Sequence, residues 1–175
     1  MERPDFKIYI EAGLFLDRWK TLLILCEDGE DEYDAMEMLR YGVVIERLED
    51  REELTEEYLA ELDRKHEPDR VVIEYNGMWK VSDFENMKLP KGWGIEQKIT
   101  TVDASTFQTY LTNLKPLFVE MVRGAEMVLF NRCEDIKPLA GYRRSVKVVS
   151  PQAEVIFEDE QGEVENIFED DVPYD

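Results

Sequence analysis

The sequence predicts an α/β fold, a mostly parallel sheet flanked by helices. Two observations lead there. Short, continuous apolar runs of the kind that fill a strand buried on both faces recur along the chain, and helical patterns stand between them. With 175 residues, 43% of them apolar, the chain can build one core, and one is expected over residues 1–157.

Taken in order, residues 5–15 read as a helix with Phe6, Ile10 and Leu14 on one face and Gly13 near its stop. Residues 21–26, Thr-Leu-Leu-Ile-Leu-Cys, are the first apolar run and end in acids and a glycine, as a buried strand does. Further strands are predicted at 43–45, 71–73, 99–102, 127–130 and 146–149. A helix over 55–65 is signalled by Thr55 as N-cap, by Leu54 and Leu59 at the spacing of a hydrophobic staple, and by Glu56 and Glu57 in the first turn; Pro68 follows it. Between 105 and 122, Phe107, Tyr110, Leu111, Leu114, Phe118 and Met121 recur at three- and four-residue steps before Gly124. Pro116 should kink or divide that helix.

The net charge of −20 argues against nucleic acid and anionic membrane surfaces as partners, and favours cations or basic proteins. Residues 158–175 hold nine acids and no Lys or Arg, a solvated acidic tail. No apolar run is long enough to span a bilayer and no signal pattern opens the sequence, so a cytoplasmic protein is expected. Cys26 and Cys133 lack ligand spacing and read as buried thiols, and His66 reads as an exposed residue after a helix. Trp79 and Trp93 bracket a loop containing Pro90, Gly92 and Gly94.

In a parallel sheet the loops leaving the carboxyl ends of the strands converge on one edge, where ligands bind. The residues capable of chemistry stand there: 26–34 after the first run, Glu74-Tyr75-Asn76-Gly77 after the third, Asp103-Ala104 after the fourth, Asn131-Arg132-Cys133-Glu134 after the fifth and Ser150-Pro151-Gln152-Ala153 after the last. An apolar strand closing in Glu-x-x-Gly, here Glu74 and Gly77, resembles the Walker B segment of the CobW family, relatives of the nickel-insertion GTPases for hydrogenase and urease. The family's Asn-Glu-x-Gly-Glu-x-x-x-Asp switch segment is similar at Glu27, Gly29, Glu30 and Asp34, with Cys26 in place of Asn, and Val102-Asp103-Ala104 resembles its Val-Asp-Ala strand end.

Asn131, Arg132 and Glu134 resemble the guanine-reading Asn-Lys-x-Asp, with a carboxylate one methylene longer, and Ser150, Pro151 and Ala153 resemble the Asn-Pro-x-Ala segment that closes over the base. A carboxylate can accept two N–H bonds from guanine, while a basic side chain's stem packs along its plane. The resemblance implies a P-loop NTPase-like domain over 1–157, catalytic roles for Glu74 and Gly77, and GTP and Mg²⁺ as cofactors. It also implies a divalent ion among Glu27, Glu30, Asp34 and Glu74, and a metalloprotein client or a transporter as partner.

Two family features are missing from these residues. No apolar strand followed by G-x-x-G-x-G-K-S/T occurs, and no C-x-C-C metal motif. The expectation is therefore a CobW-like GTP-binding protein related to metal-insertion chaperones, inactive as written for want of the first strand and the phosphate loop. The alternative is a non-catalytic module on a degenerate GTPase fold that binds a protein or cations. Without the family's central first strand, unpaired edges and self-association are also expected.

Overall fold

Parallel pairing of three strands organises each of two units in the computed structural model, which describes residues 7–12, 20–26, 33–134, 136, 138–160 and 162–163. One unit spans 7–98 and the other begins at Ile99. The mostly parallel sheet with flanking helices is the fold class predicted.

In the first unit, β2 (Thr21–Leu25) lies between β3 (Val43–Arg47) and β4 (Arg70–Asn76) and runs parallel to both, so that Leu25 stands beside Arg47 and Glu74. The apolar run is what a central strand requires: Leu22, Ile24 and Leu25 are buried. The helices α1 (Ala35–Arg40), α2 (Glu56–His66) and α3 (Val81–Glu85) connect or follow these strands. As predicted, Thr55 caps α2, its hydroxyl accepting from the Tyr58 N–H at 3.1 Å, while Leu59 and Leu62 face the core.

Residues 7–12 are not helical. They form β1 (Lys7–Ala12), antiparallel to β4, with Lys7 beside Asn76 and Ala12 beside Val71. The run Lys-Ile-Tyr-Ile-Glu-Ala alternates at period two as well as supplying a three-to-four spacing, and pairing with β4 decides between them.

The second unit repeats the arrangement. β6 (Met127–Asn131) lies between β5 (Gln97–Asp103) and β7 (Glu154–Asp159), parallel to both, and β8 (Gly162–Glu163) turns back against β7. The long helix divides at Pro116 into α4 (Phe107–Asn113) and α5 (Lys115–Arg123). Residues 146–149, expected as a strand, instead finish α6 (Ala140–Val149), which buries Tyr142 and Val146 one helical turn apart and leaves Val148 exposed. The last parallel strand is β7, and Glu158 and Asp159, expected to open the acidic tail, complete it. Residues 164–175 lie outside the described residues.

An aromatic cluster holds this unit. Phe130 of β6 is fully buried and its ring lies 5.1 Å from those of Phe107 and Phe157 and 5.5 Å from Tyr142. Truncating it leaves a cavity that several rigid rings cannot collapse into, so Phe130→Ala should lower the urea-unfolding free energy by about 3–5 kcal/mol.

His66, expected to be exposed, is largely covered at the end of α2. Its Nε2 lies 2.7 Å from Glu46 Oε1, which Lys65 Nζ also reaches at 2.7 Å. Burial alone would raise the Glu46 carboxyl, but the hydrogen bonds from Lys65 and His66 outweigh it and hold the group below its ordinary value. A carboxylate with a depressed folded-state pKa contributes stability above its unfolded value and loses it as the pH falls through the folded one. Glu46→Gln should therefore be less stable than the parent near neutrality, with the gap closing below the usual carboxylate range, as urea unfolding across pH would show.

Candidate functional site

The two units place different parts of the predicted site. In the first, β2 and β4 end together: Cys26 N–H donates to the Glu74 carbonyl at 2.9 Å, and Asn76 Nδ2 returns a bond to the Cys26 carbonyl at 3.3 Å. Asn76 Oδ1 also accepts from Met78 N–H at 2.9 Å, fixing the turn that carries Gly77. Glu74 is almost fully buried, and Tyr33 donates its hydroxyl to Glu74 Oε2 at 3.1 Å. A carboxylate removed from water needs such donors.

Asp34 is used structurally. Its Oδ1 accepts from the Met36 and Glu37 N–H groups at 2.9 and 3.1 Å, the N-cap of α1. Glu27 and Glu30, the other predicted metal ligands, lie outside the described residues. Among the described residues no group of three or more His, Cys, Asp or Glu side chains is placed to hold a metal ion.

In the second unit, register places Asp103 beside Asn131 at the carboxyl ends of β5 and β6. Asp103 is buried and fully engaged: Oδ1 accepts from the Ser105 N–H at 2.8 Å and hydroxyl at 2.6 Å, and Oδ2 accepts from Arg132 Nη1 at 2.9 Å. Arg132 has φ of 54°, a left-handed conformation that costs a non-glycine residue about 1–2 kcal/mol. The turn it makes delivers Cys133 N–H to the Glu158 carbonyl of β7 at 3.0 Å. Burial pushes the Cys133 thiol up to about 11, so it is inert near neutrality. Glu134 is exposed beside this turn, and Asn131 Oδ1 is buried with no hydrogen-bond partner among the described residues.

Ser150, Pro151 and Ala153 are not brought to this edge. Because 146–149 is helical, they form the α6–β7 connection and enter β7 at its amino end: Ser150 Oγ reaches the Ala125 carbonyl at 3.5 Å, and Glu154 pairs with Met127 at the start of β6. Asn131 ends that same strand, so these three residues and Asn131 lie at opposite ends of β6. Sequence reasoning placed Tyr33 and Asn76 in the loops at this edge without giving them a role, and gave none to Ser105. The signal for Ser105 was present, since a small hydroxyl residue two positions after a strand-ending Asp is a turn signature.

Comparison with known proteins agrees with this architecture. Residues 31–157 match the family model described as CobW/HypB/UreG, nucleotide-binding domain. The crystal structure of the hydrogenase maturation factor HypB from Archaeoglobus fulgidus is similar in fold, with a TM-score of 0.50 and 18% identity over 82% of this chain and 68% of that one. No curated protein matches. No helix among the described residues is long and apolar enough to cross a membrane.

The Asp103 cluster makes a measurable claim. Asp103→Asn keeps the shape but replaces an ionised acceptor of three bonds by a neutral amide facing Arg132, and should cost about 1–3 kcal/mol in chemical denaturation. Arg132→Lys, which keeps the charge but not the planar fork, should recover only part of the parent stability.

Proposed function

The chain belongs to the CobW/HypB/UreG nucleotide-binding family, and from that premise we propose that these residues form a GTPase-derived module of metal-insertion machinery that does not hydrolyse GTP. The observation that carries this reading is the direction of β1. A phosphate cradle serving Glu74 has to leave the carboxyl end of a neighbouring strand at the Glu74 edge, where its amides and helix N-terminus meet the phosphates. β4 has β2 on one side, parallel and leaving at that edge, and β1 on the other, which runs the other way: Lys7 stands beside Asn76 at that edge, while Ala12, from which the chain continues, stands beside Val71 at the other. The sequence agrees, having no G-x-x-G-x-G-K-S/T, and the loop leaving β2 carries Glu27, Asp28, Glu30, Asp31 and Glu32, which repel a triphosphate.

The base-reading end is the part retained. The unpartnered Asn131 Oδ1 offers an acceptor to a ligand N–H, and the Arg132 stem and Glu134 stand on either side of Cys133 in the same turn. Arg132 is already committed to Asp103, which limits its freedom to lie along a base. Contacts of this kind amount to about 4 kcal/mol, roughly millimolar affinity. Glu74, held by Tyr33, keeps the family's carboxylate as a structural acceptor, and Gly77 keeps its turn, with no catalytic part for either.

Fluorescent GTP titrated with Mg²⁺ into the purified chain should show no saturation at micromolar concentrations, and no phosphate should be released. Saturable micromolar binding would reveal a phosphate site elsewhere and end the non-catalytic reading.

A further inference from the structure

We propose that the open edge of β3, together with the exposed apolar face of α1, is a docking site for an extended segment of another protein that carries alternate apolar residues and a cluster of Lys or Arg at one end. Among the described residues of its unit β3 is paired on one side, to β2. The hydrogen bonds flanking the ladder identify which of its peptide groups are used. Thr21 N–H donates to the Gly42 carbonyl and Leu48 N–H to the Leu25 carbonyl, so by strand alternation the groups of Val44 and Glu46 also face β2. Those of Val43, Ile45 and Arg47 face outward, a row of donors and acceptors unpaired among the described residues that an extended segment completes.

The neighbouring helix supports the same occupant. α1 buries none of its residues; Met36 is 71% exposed, Leu39 56% and, just past its end, Tyr41 73%. Three large apolar side chains left in water on seven residues of chain are costly unless something covers them. They are flanked by an edge whose side chains Val43, Val44 and Ile45 are only half buried.

Charge selects the partner. α1 runs back from the carboxyl end of β2 to the amino end of β3, so its first turn, with Asp34 and Glu37, shares an end with the exposed Glu49, Asp50, Glu52 and Glu53 that follow β3. Of the nearby cations, Arg51 is drawn to Asp83 at 4.0 Å and to the Leu54 carbonyl at 3.0 Å, and Lys65 to Glu46; exposed Arg47 at the end of β3 offsets one of these six acids. One end of the groove is thus negative, and a second copy of a chain with net charge −20 is a poor occupant of it. A basic segment fits, its charged end beside Glu49 and Asp50.

A displayed library of random dodecapeptides panned against the immobilised full chain tests this. Enriched peptides should show apolar residues at alternate positions with Lys or Arg at one end. Binding of the synthetic peptides should fall about tenfold or more with Ile45→Pro, which removes an outward N–H and leaves the β2 ladder bonds in place. Leu39→Ser should also weaken them, and hydrogen exchange at residues 43–47 should slow when they bind. Unaltered circular dichroism and melting temperature establish that each variant is folded; if Ile45→Pro unfolds, Arg47→Pro at the strand end makes the same test. Enriched peptides without that pattern, or equal binding to the folded edge variants, overturn the proposal. So does concentration-dependent protection of β3 without peptide, which would place a second copy there.

Discussion

An ionised carboxylate withdrawn from water must find its donors inside the protein, and the ends of both three-stranded parallel ladders are built on that requirement. Glu74 and Asp103 are each within 3% of complete burial, Glu74 two residues before the end of β4 and Asp103 at the end of β5. Around Asp103 the answer is local and complete: Ser105 two residues on, and Arg132 from the adjacent strand end. Around Glu74 it includes Tyr33, the residue that leads into the α1 cap. The loops that would carry function are thus positioned by buried acids as much as by the strands they follow.

This use of the acids bears on what the family likeness implies. A carboxylate free to coordinate a cation or orient water needs spare lone pairs facing solvent. Here one oxygen of Asp34 closes the first turn of α1 and one oxygen of Glu74 accepts from Tyr33.

Much of the fold was legible because parallel strands carry their signature in composition. Leu22 to Leu25 and the runs at 71–73 and 127–130 needed no partner to be recognised. Residues 146–149 misled for a physical reason: three valines in four positions satisfy strand propensity, yet Leu139, Tyr142 and Val146 also form one helical stripe, and packing of that stripe beside Phe130 and Phe107 prevailed. One error there moved Ser150, Pro151 and Ala153 to the wrong end of a strand, since everything after a misread element inherits its direction. Asn131, Arg132 and Glu134, which follow a correctly read strand, came out in one turn.

β1 shows the limit more sharply. Its six residues fit a helical spacing and a strand alternation about equally, and only the long-range pairing with β4, 59 to 69 positions away, resolves the choice. Once resolved, it also fixes polarity, and polarity is what no local pattern can give. A strand in this place running parallel to β4 would carry the chain out at the Glu74 edge, where loop amides could meet phosphates. The antiparallel strand instead enters at that edge, with Lys7 beside Asn76, and carries the chain out at the other.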